Sequence, residues 1–464
     1  MTSPQPAEGS TRYVLLLTLV AALGGLLFGY DTAVISGAIG FLKQRFDLNA
    51  VMEGWAAGSA LIGCMIGASL AGFVSDRFGR KKAMVLAAVL FTVSAIGSAI
   101  PRNLTELVIA RILGGVGIGI ASLLSPLYIS EVAPAGKRGR LVSLNQFAII
   151  FGMLVVYCVN AKVAALGDEA WNVAVGWRWM FASETLPALL FLVLVGTLPE
   201  SPRWLMKQGQ VGEAEAILAR IGGAAHARQE VAEIQDALAH EQQESLAQLF
   251  EPVMRLPLLI GIGLAILQQI TGINIVMYYA PEIFKSAGQA TQESLNATVA
   301  IGAVNMVFTL VAIGIVDRLG RKPLLLIASA GMGVSLALLG RAFVLKQCEG
   351  PWVLLFVLAY VASFAAGMGP VVWVVIAEIF PTRIRGRAMS IAIVSLWISC
   401  FGVTQLFPIM LEELKGGAFF VYAAICAVTL LFIAAVLPET KGQSLEEIER
   451  QWFRRKQSPR QSNG

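Results

Sequence analysis

Twelve apolar stretches run through this chain, each close to the ~20 residues that a helix needs to cross a bilayer. The first six are Tyr13–Phe41, Trp55–Val74, Ala83–Ile100, Leu107–Ile129, Leu141–Val163 and Trp177–Leu198. The last six are Leu256–Tyr279, Thr298–Val316, Leu324–Val344, Val353–Ile376, Ala388–Leu411 and Ala418–Leu437. Between them little charge is left. Charged residues fill 14% of the 464 positions, against about 25% in a soluble domain. That is too few to clothe the domains of a soluble enzyme of this length. The composition also excludes a disordered chain, a collagen-like chain and a small disulfide scaffold. An all-α membrane protein remains.

The formal net charge is +5. The basic residues sit in short loops, so membrane topology accounts for them and nucleic-acid binding is not implied. One set of loops carries Arg77/Arg80/Lys81/Lys82, Lys137/Arg138/Arg140, the hydrophilic stretch Ser201–Arg255, Arg318/Arg321/Lys322, Arg383/Arg385/Arg387 and the tail from Lys441. The opposite loops hold scattered charges such as Lys43, Arg102, Lys285 and Lys415. By the positive-inside rule the first set is cytoplasmic, and an even number of spans places both termini there. The first apolar run is too long for a cleavable signal and continues beyond Asp31. The five cysteines have no metal-ligand spacing and read as buried thiols. No metal or cofactor is implied.

The hydrophilic stretch divides the spans into six and six. Within it, Val211–Ile221 and Arg228–Ala239 read as short amphipathic helices. The expected domains are therefore an N-terminal segment 1–12, a six-helix bundle 13–198, a cytoplasmic helical linker 199–255, a second six-helix bundle 256–437 and a tail 438–464.

The two sets of six repeat each other. Asp76-Arg77-Phe-Gly79-Arg80-Lys81 follows the second span, and Asp317-Arg318-Leu-Gly320-Arg321-Lys322 follows the eighth. Glu131 with Arg138 and Arg140 follows the fourth, and Glu378 with Arg385 and Arg387 follows the tenth. Pro199-Glu200-Ser-Pro-Arg203 follows the sixth, and Pro438-Glu439-Thr-Lys441-Gly442 follows the twelfth. The positive-inside rule asks for Lys and Arg but not for these acids and glycines in this order. Two bundles of the same topology follow, as in transporters with parallel repeats. We expect Asp76, Arg80, Glu131, Arg138, Glu200, Arg203, Asp317, Arg321, Glu378, Arg385 and Glu439 to pair across the two halves as a cytoplasmic gate. Static pairing at the surface is the simpler alternative.

Two charges interrupt the spans. Asp31 lies in the first and Arg111 one to two turns into the fourth. The first span runs outward and the fourth inward, so the two stand at comparable depth. Each costs about 2.5–3.5 kcal/mol to insert, and an Asp–Arg pair whose Asp can take up a proton is a natural proton-coupled switch. The alternatives are a polar residue satisfied by its neighbours and an arginine snorkelling outward. The only histidines, His226 and His240, lie in the linker, so a relay inside the membrane must use carboxylates.

A small polar ligand whose hydroxyls both donate and accept is met by amide side chains, and an apolar ring face by aromatic rings. The seventh span carries Gln268, Gln269 and Asn274, then Tyr278 and Tyr279, with Gly272 placed to break the helix. Gly367, Gly369 and Pro370 are expected to open the tenth span locally. For each amide, interhelical bonding is the competing reading, and for Trp373 and Trp397 it is packing.

The three motif pairs resemble those of the major facilitator superfamily. The segments Pro199–Trp204, Pro438–Gly442 and Gln268–Pro281 are similar to signatures of its sugar porters, in particular the bacterial D-xylose:proton symporters. The resemblance runs from Gly25 to about Trp452. It implies alternating access between two bundles, with a monosaccharide and a proton as co-substrates and the bilayer as surroundings. It also implies sugar contacts at Gln146, Gln268, Gln269, Asn274, Tyr278, Asn305, Trp373 and Trp397, with Phe28 beside them. Proton-coupled members match at Asp31 and Arg111, whereas passive facilitators commonly have a neutral residue in place of Asp31. The xylose pattern has glutamines where this chain has Met153 and Leu396, so a hexose such as glucose rivals xylose. The expected protein is a monomeric sugar:proton symporter of a bacterial inner membrane. A passive uniporter, an antiporter for another solute and a non-transporting sugar sensor are the alternatives. No phosphate loop, metal cluster or nucleophile–base pair points to an enzyme.

Overall fold

The structure is a computed structural model that describes residues 10–239, 254–348, 350–380 and 385–441. His240, Arg383 and the tail beyond Lys441 lie outside the described residues, as do the side chains of Asp317, Arg385 and Arg387. Among the described residues all regular structure is helical. Twelve spans are long and apolar enough to cross a membrane: Thr11–Phe46, Ala50–Phe78, Arg80–Ala99, Leu104–Val132, Arg138–Ala164, Glu169–Val195, Arg255–Ser286, Thr291–Val316, Arg321–Val344, Trp352–Ile376, Ala388–Leu414 and Gly417–Val436. Each overlaps one expected stretch. Several are longer, because hydropathy stops at the hydrocarbon edge whereas a helix stops at its cap. The fourth span begins at Asn103, whose Oδ1 accepts from the Glu106 backbone N–H at 2.9 Å. Large apolar side chains such as Phe73, Leu186, Val193 and Leu431 point outward, as helices solvated by lipid allow.

Contacts divide the chain into two compact units, 1–38 with 59–243 and 39–58 with 244–464. The turn between the first two spans therefore packs with the second unit, an exchange the expected domain limits did not contain. Trp55 meets Phe401 edge-on at 6.1 Å, and Gln405 donates to the Val51 carbonyl at 2.8 Å. Gly54 makes this approach possible, since a Cβ there would strike the Gln405 backbone.

Among the described residues the linker holds three helices, Pro202–Lys207, Val211–Gly222 and Ala224–Ala239. The first is too short for periodicity to reveal. Ser201 caps it by accepting from Trp204 N–H, and Pro202 starts it. Leu205, Met206 and Ala214 form a small core with Val231, Ile234 and Leu238 against it.

Three spans are broken. The sixth runs through a π-helical turn, Asn172–Gly176, and breaks again at Ser183–Glu184. Pro187 has no N–H to give the Ser183 carbonyl, which weakens the helix there. The seventh breaks at Gly272, whose φ of +99° is left-handed. The tenth holds a π-helical turn, Phe364–Met368, just before Gly369 and Pro370.

Candidate functional site

In the first unit the first and fourth spans bring Asp31 and Arg111 together. Arg111 Nη1 donates to the Asp31 carboxylate and, at 3.0 Å, to the Asp31 backbone carbonyl. Both residues are at most 1% exposed. Gly114 opens the space: a Cβ there would lie 2.5 Å from Asp31 Oδ2. The Phe181 ring faces the guanidinium at 5.7 Å. A third buried charge, Glu184, stands at the break in the sixth span, within electrostatic reach of both. Its Oε1 has no hydrogen-bond partner among the described residues. Ser183 Oγ donates to the Met180 carbonyl, so Tyr30 donates to Ser183 at 2.7 Å and ties the first span to this break.

Glu184 was missed from the sequence. The signal that picked out Asp31, one carboxylate inside an apolar run, applies equally to Phe181–Leu198. Phe28 and Gln146 also belong to the first unit, and both are half-buried.

In the second unit the polar side chains at the breaks of the seventh and tenth spans are neutral. Gln268 Nε2 donates to the carbonyls of Met368 and Gly369 at 2.8 and 3.2 Å. Gln269 Nε2 donates to Gln268 Oε1 at 3.1 Å, and Asn274 Nδ2 donates to Gln269 Oε1. The chain ends where Asn274 Nδ2 reaches Cys400 Sγ at 3.0 Å. The π-helical turn delivers the first carbonyls and the Gly272 break delivers Asn274. Gln268 and Gln269 are buried, whereas Asn274 is half-buried. Tyr278 and Trp397 are buried on the adjoining helices, Asn305 is buried on the eighth span, and Trp373 is half-buried. Asn305, Trp373 and Trp397 stand outside the amide chain. Cys400 was read from sequence only as a buried thiol, and nothing in its spacing connected it to Asn274.

At the motif ends the three repeated segments of each half converge on one turn. Gly79 and Gly320 have φ of +96° and +93°, and each joins two long helices in a single residue. Glu200 accepts from the backbone N–H groups of Arg80, Lys81 and Ser201 at 2.8, 3.1 and 2.9 Å. Glu439 accepts likewise from Arg321, Lys322 and Lys441 at 3.0, 3.0 and 2.9 Å. Each carboxylate sits at a helix N-terminus, where the dipole favours it. Burial raises the Glu439 carboxyl, but the backbone donors of Arg321, Lys441 and Lys322 outweigh it and hold the group below its ordinary value.

Arg80 grips Glu131 through Nε and Nη2, each at 3.1 Å, and Asp76 through Nη1 at 3.1 Å. Arg321 Nη2 bonds Glu378 at 2.9 Å, and Thr440 donates to the other Glu378 oxygen at 2.6 Å. These pairs close within each half. The glycine turn sets each arginine beside the acids of its own unit and occupies the guanidinium there. Arg138 and Arg203 are exposed and have no ion pair among the described residues. The side chains of Asp317 and Arg385 fall outside them.

The family model for "Sugar (and other) transporter" matches residues 17–452. The chain belongs to this family. The transporter is 46% identical to the D-xylose-proton symporter of Escherichia coli (strain K12), over 96% of both chains. It is 43% identical to the arabinose-proton symporter of Bacillus subtilis (strain 168), over 97% of both. A solved structure of the xylose transporter XylE from E. coli in an inward-open conformation matches with a TM-score of 0.85 and 45% identity. That match covers 95% of this transporter and 100% of the solved chain. The expected sugar-porter fold of twelve helices is met, and the family comprises transporters rather than enzymes.

Proposed function

We propose that this transporter is a proton-coupled monosaccharide symporter working by alternating access. The observation that carries the reading is Arg111 held on both the carboxylate and the carbonyl of Asp31, in a place sealed from solvent. One guanidinium balances one carboxylate. Asp31, Arg111 and Glu184 together are electroneutral only with one proton bound, and net charge inside a bilayer is costly. Proton arrival and departure therefore change what Arg111 is held by, and so how tightly the first, fourth and sixth spans are tied. A passive uniporter has no need of such a group.

The sugar is read by the amides Gln268, Gln269 and Asn274 with Tyr278, and further contacts come from Phe28, Gln146, Asn305, Trp373 and Trp397. The substrate is a pentose or hexose, in keeping with the xylose and arabinose named for the relatives. Met153 and Leu396 leave D-glucose a rival of D-xylose. The motif clusters around Arg80 and Arg321 brace the cytoplasmic ends of the two halves. Their basic loops support cytoplasmic termini, and the bacterial relatives support an inner-membrane address.

The test is proton uptake driven by sugar in proteoliposomes, across a panel of pentoses and hexoses. Alkalinisation outside, in step with uptake of at least one sugar, is the expected result. A sugar transported with no pH change would sink the symport reading and leave a uniporter.

A further inference from the structure

The amide chain in the second unit has a direction. Backbone carbonyls only accept, so Met368 and Gly369 require Gln268 to turn its NH₂ toward them. Its Oε1 then faces Gln269, which must present NH₂ in turn, and the same choice passes to Asn274. One amide proton of Asn274 goes to Gln269 Oε1 and the other to Cys400 Sγ. Oδ1 is left as the free face of the one half-buried amide in the chain. Tyr278 hydrogen-bonds the same sulfur.

We propose that Cys400 is a positioning residue that makes Asn274 an acceptor-only contact, so that substrate is selected there for a hydroxyl that can donate. The proposal rests on the sugar reading given above. A thiol suits the task because sulfur is a weak acceptor: it occupies the amide proton without drawing Asn274 out of the chain. Alanine would release that proton and let Asn274 also donate. Serine would restore an acceptor at the same place.

The experiment measures KM and kcat for D-xylose and D-glucose, and for their monodeoxy and monodeoxyfluoro analogues at each hydroxyl. The proteins are wild type, Cys400→Ala, Cys400→Val and Cys400→Ser. Fluorine accepts but cannot donate. In wild type, at one hydroxyl, the deoxy and fluoro analogues should fail alike, with KM raised about tenfold or more. In Cys400→Ala and Cys400→Val the fluoro analogue at that position should gain about threefold over the deoxy analogue in KM, with kcat little changed. Cys400→Ser should return the wild-type ratio. A lost structural contact would lower kcat or raise every KM together.

An unchanged fluoro-to-deoxy ratio in well-folded Cys400→Ala or Cys400→Val would overturn the proposal while leaving the sugar reading intact. So would a wild type that prefers fluoro over deoxy at every position, a result that needs no variant to fold. Absence of transport of every pentose and hexose in the panel would overturn the sugar reading and the proposal together.

Discussion

Around the break in the sixth span of the first unit three buried polar groups are ionic: Asp31, Arg111 and Glu184. Where the seventh and tenth spans of the second unit break they are neutral: Gln268, Gln269, Asn274 and Cys400, bonded in one direction from two backbone carbonyls. The motif ends of the two units remain alike, each with a left-handed glycine, a carboxylate over a helix N-terminus and an Arg–Glu pair. A repeated architecture has kept its frame and divided its chemistry. Charge can be switched by a proton but offers poor discrimination among hydroxyls. Amides do not titrate but present donors and acceptors in fixed places. The difference predicts that damage to the first unit uncouples transport, whereas damage to the second alters which sugar is carried.

The largest effect is expected at Arg111. Arg111→Leu leaves two buried carboxylates without a counter-charge and should destabilise the protein by about 3–5 kcal/mol, read as a fall in thermal unfolding temperature in detergent. Adding Asp31→Asn should recover much of that loss. A single variant as stable as wild type would break the ionic half of the comparison. Asp31→Asn alone should abolish uphill accumulation while sugar exchange across the membrane persists. Survival of uphill transport would make Asp31 structural. Glu184→Gln should reduce accumulation less severely, because Arg111 bonds Asp31 directly. Gln268→Ala should act on the other side of the comparison. It should raise the sugar KM about tenfold, about 1.4 kcal/mol, with the proton-to-sugar ratio unchanged; a changed ratio would show that the neutral chain takes part in coupling.

The frame was legible because it is written in composition and repetition. Twelve apolar stretches become twelve spans, and the matched glycines at 79 and 320 become matched turns. The Asp31–Arg111 contact was legible because spans of known direction fix depth, and two isolated opposite charges at one depth find each other. The rest depended on what local sequence hides. Glu184 sits among Ser183, Thr185 and Pro187, where a break in the helix reads like an ordinary boundary. Cys400 is one apolar-looking residue in an apolar helix, and only the Gly272 break brings Asn274 to it. For Arg80 and Arg321, sequence order says which residues share an end but not which of them the turn places within reach. The packing of 39–58 with the second unit depends on close approach at Gly54, which no periodicity announces.

The smallest effect should be the one the two units share. Glu200→Gln and Glu439→Gln each weaken a carboxylate over three backbone N–H groups, so each should destabilise by about 1 kcal/mol, and by similar amounts. For Glu439 the sign of the pH dependence follows from its lowered pKa. A carboxyl whose folded pKa is depressed stabilises the protein above the ordinary glutamate range, and that contribution is lost as pH falls through the folded value. The unfolding temperatures of wild type and Glu439→Gln should therefore differ most near neutrality and converge in acid. A difference that is flat from neutral to acid pH would mean that the lost contribution is packing rather than charge. A much larger loss at Glu200 than at Glu439 would mean that the shared frame has diverged as well.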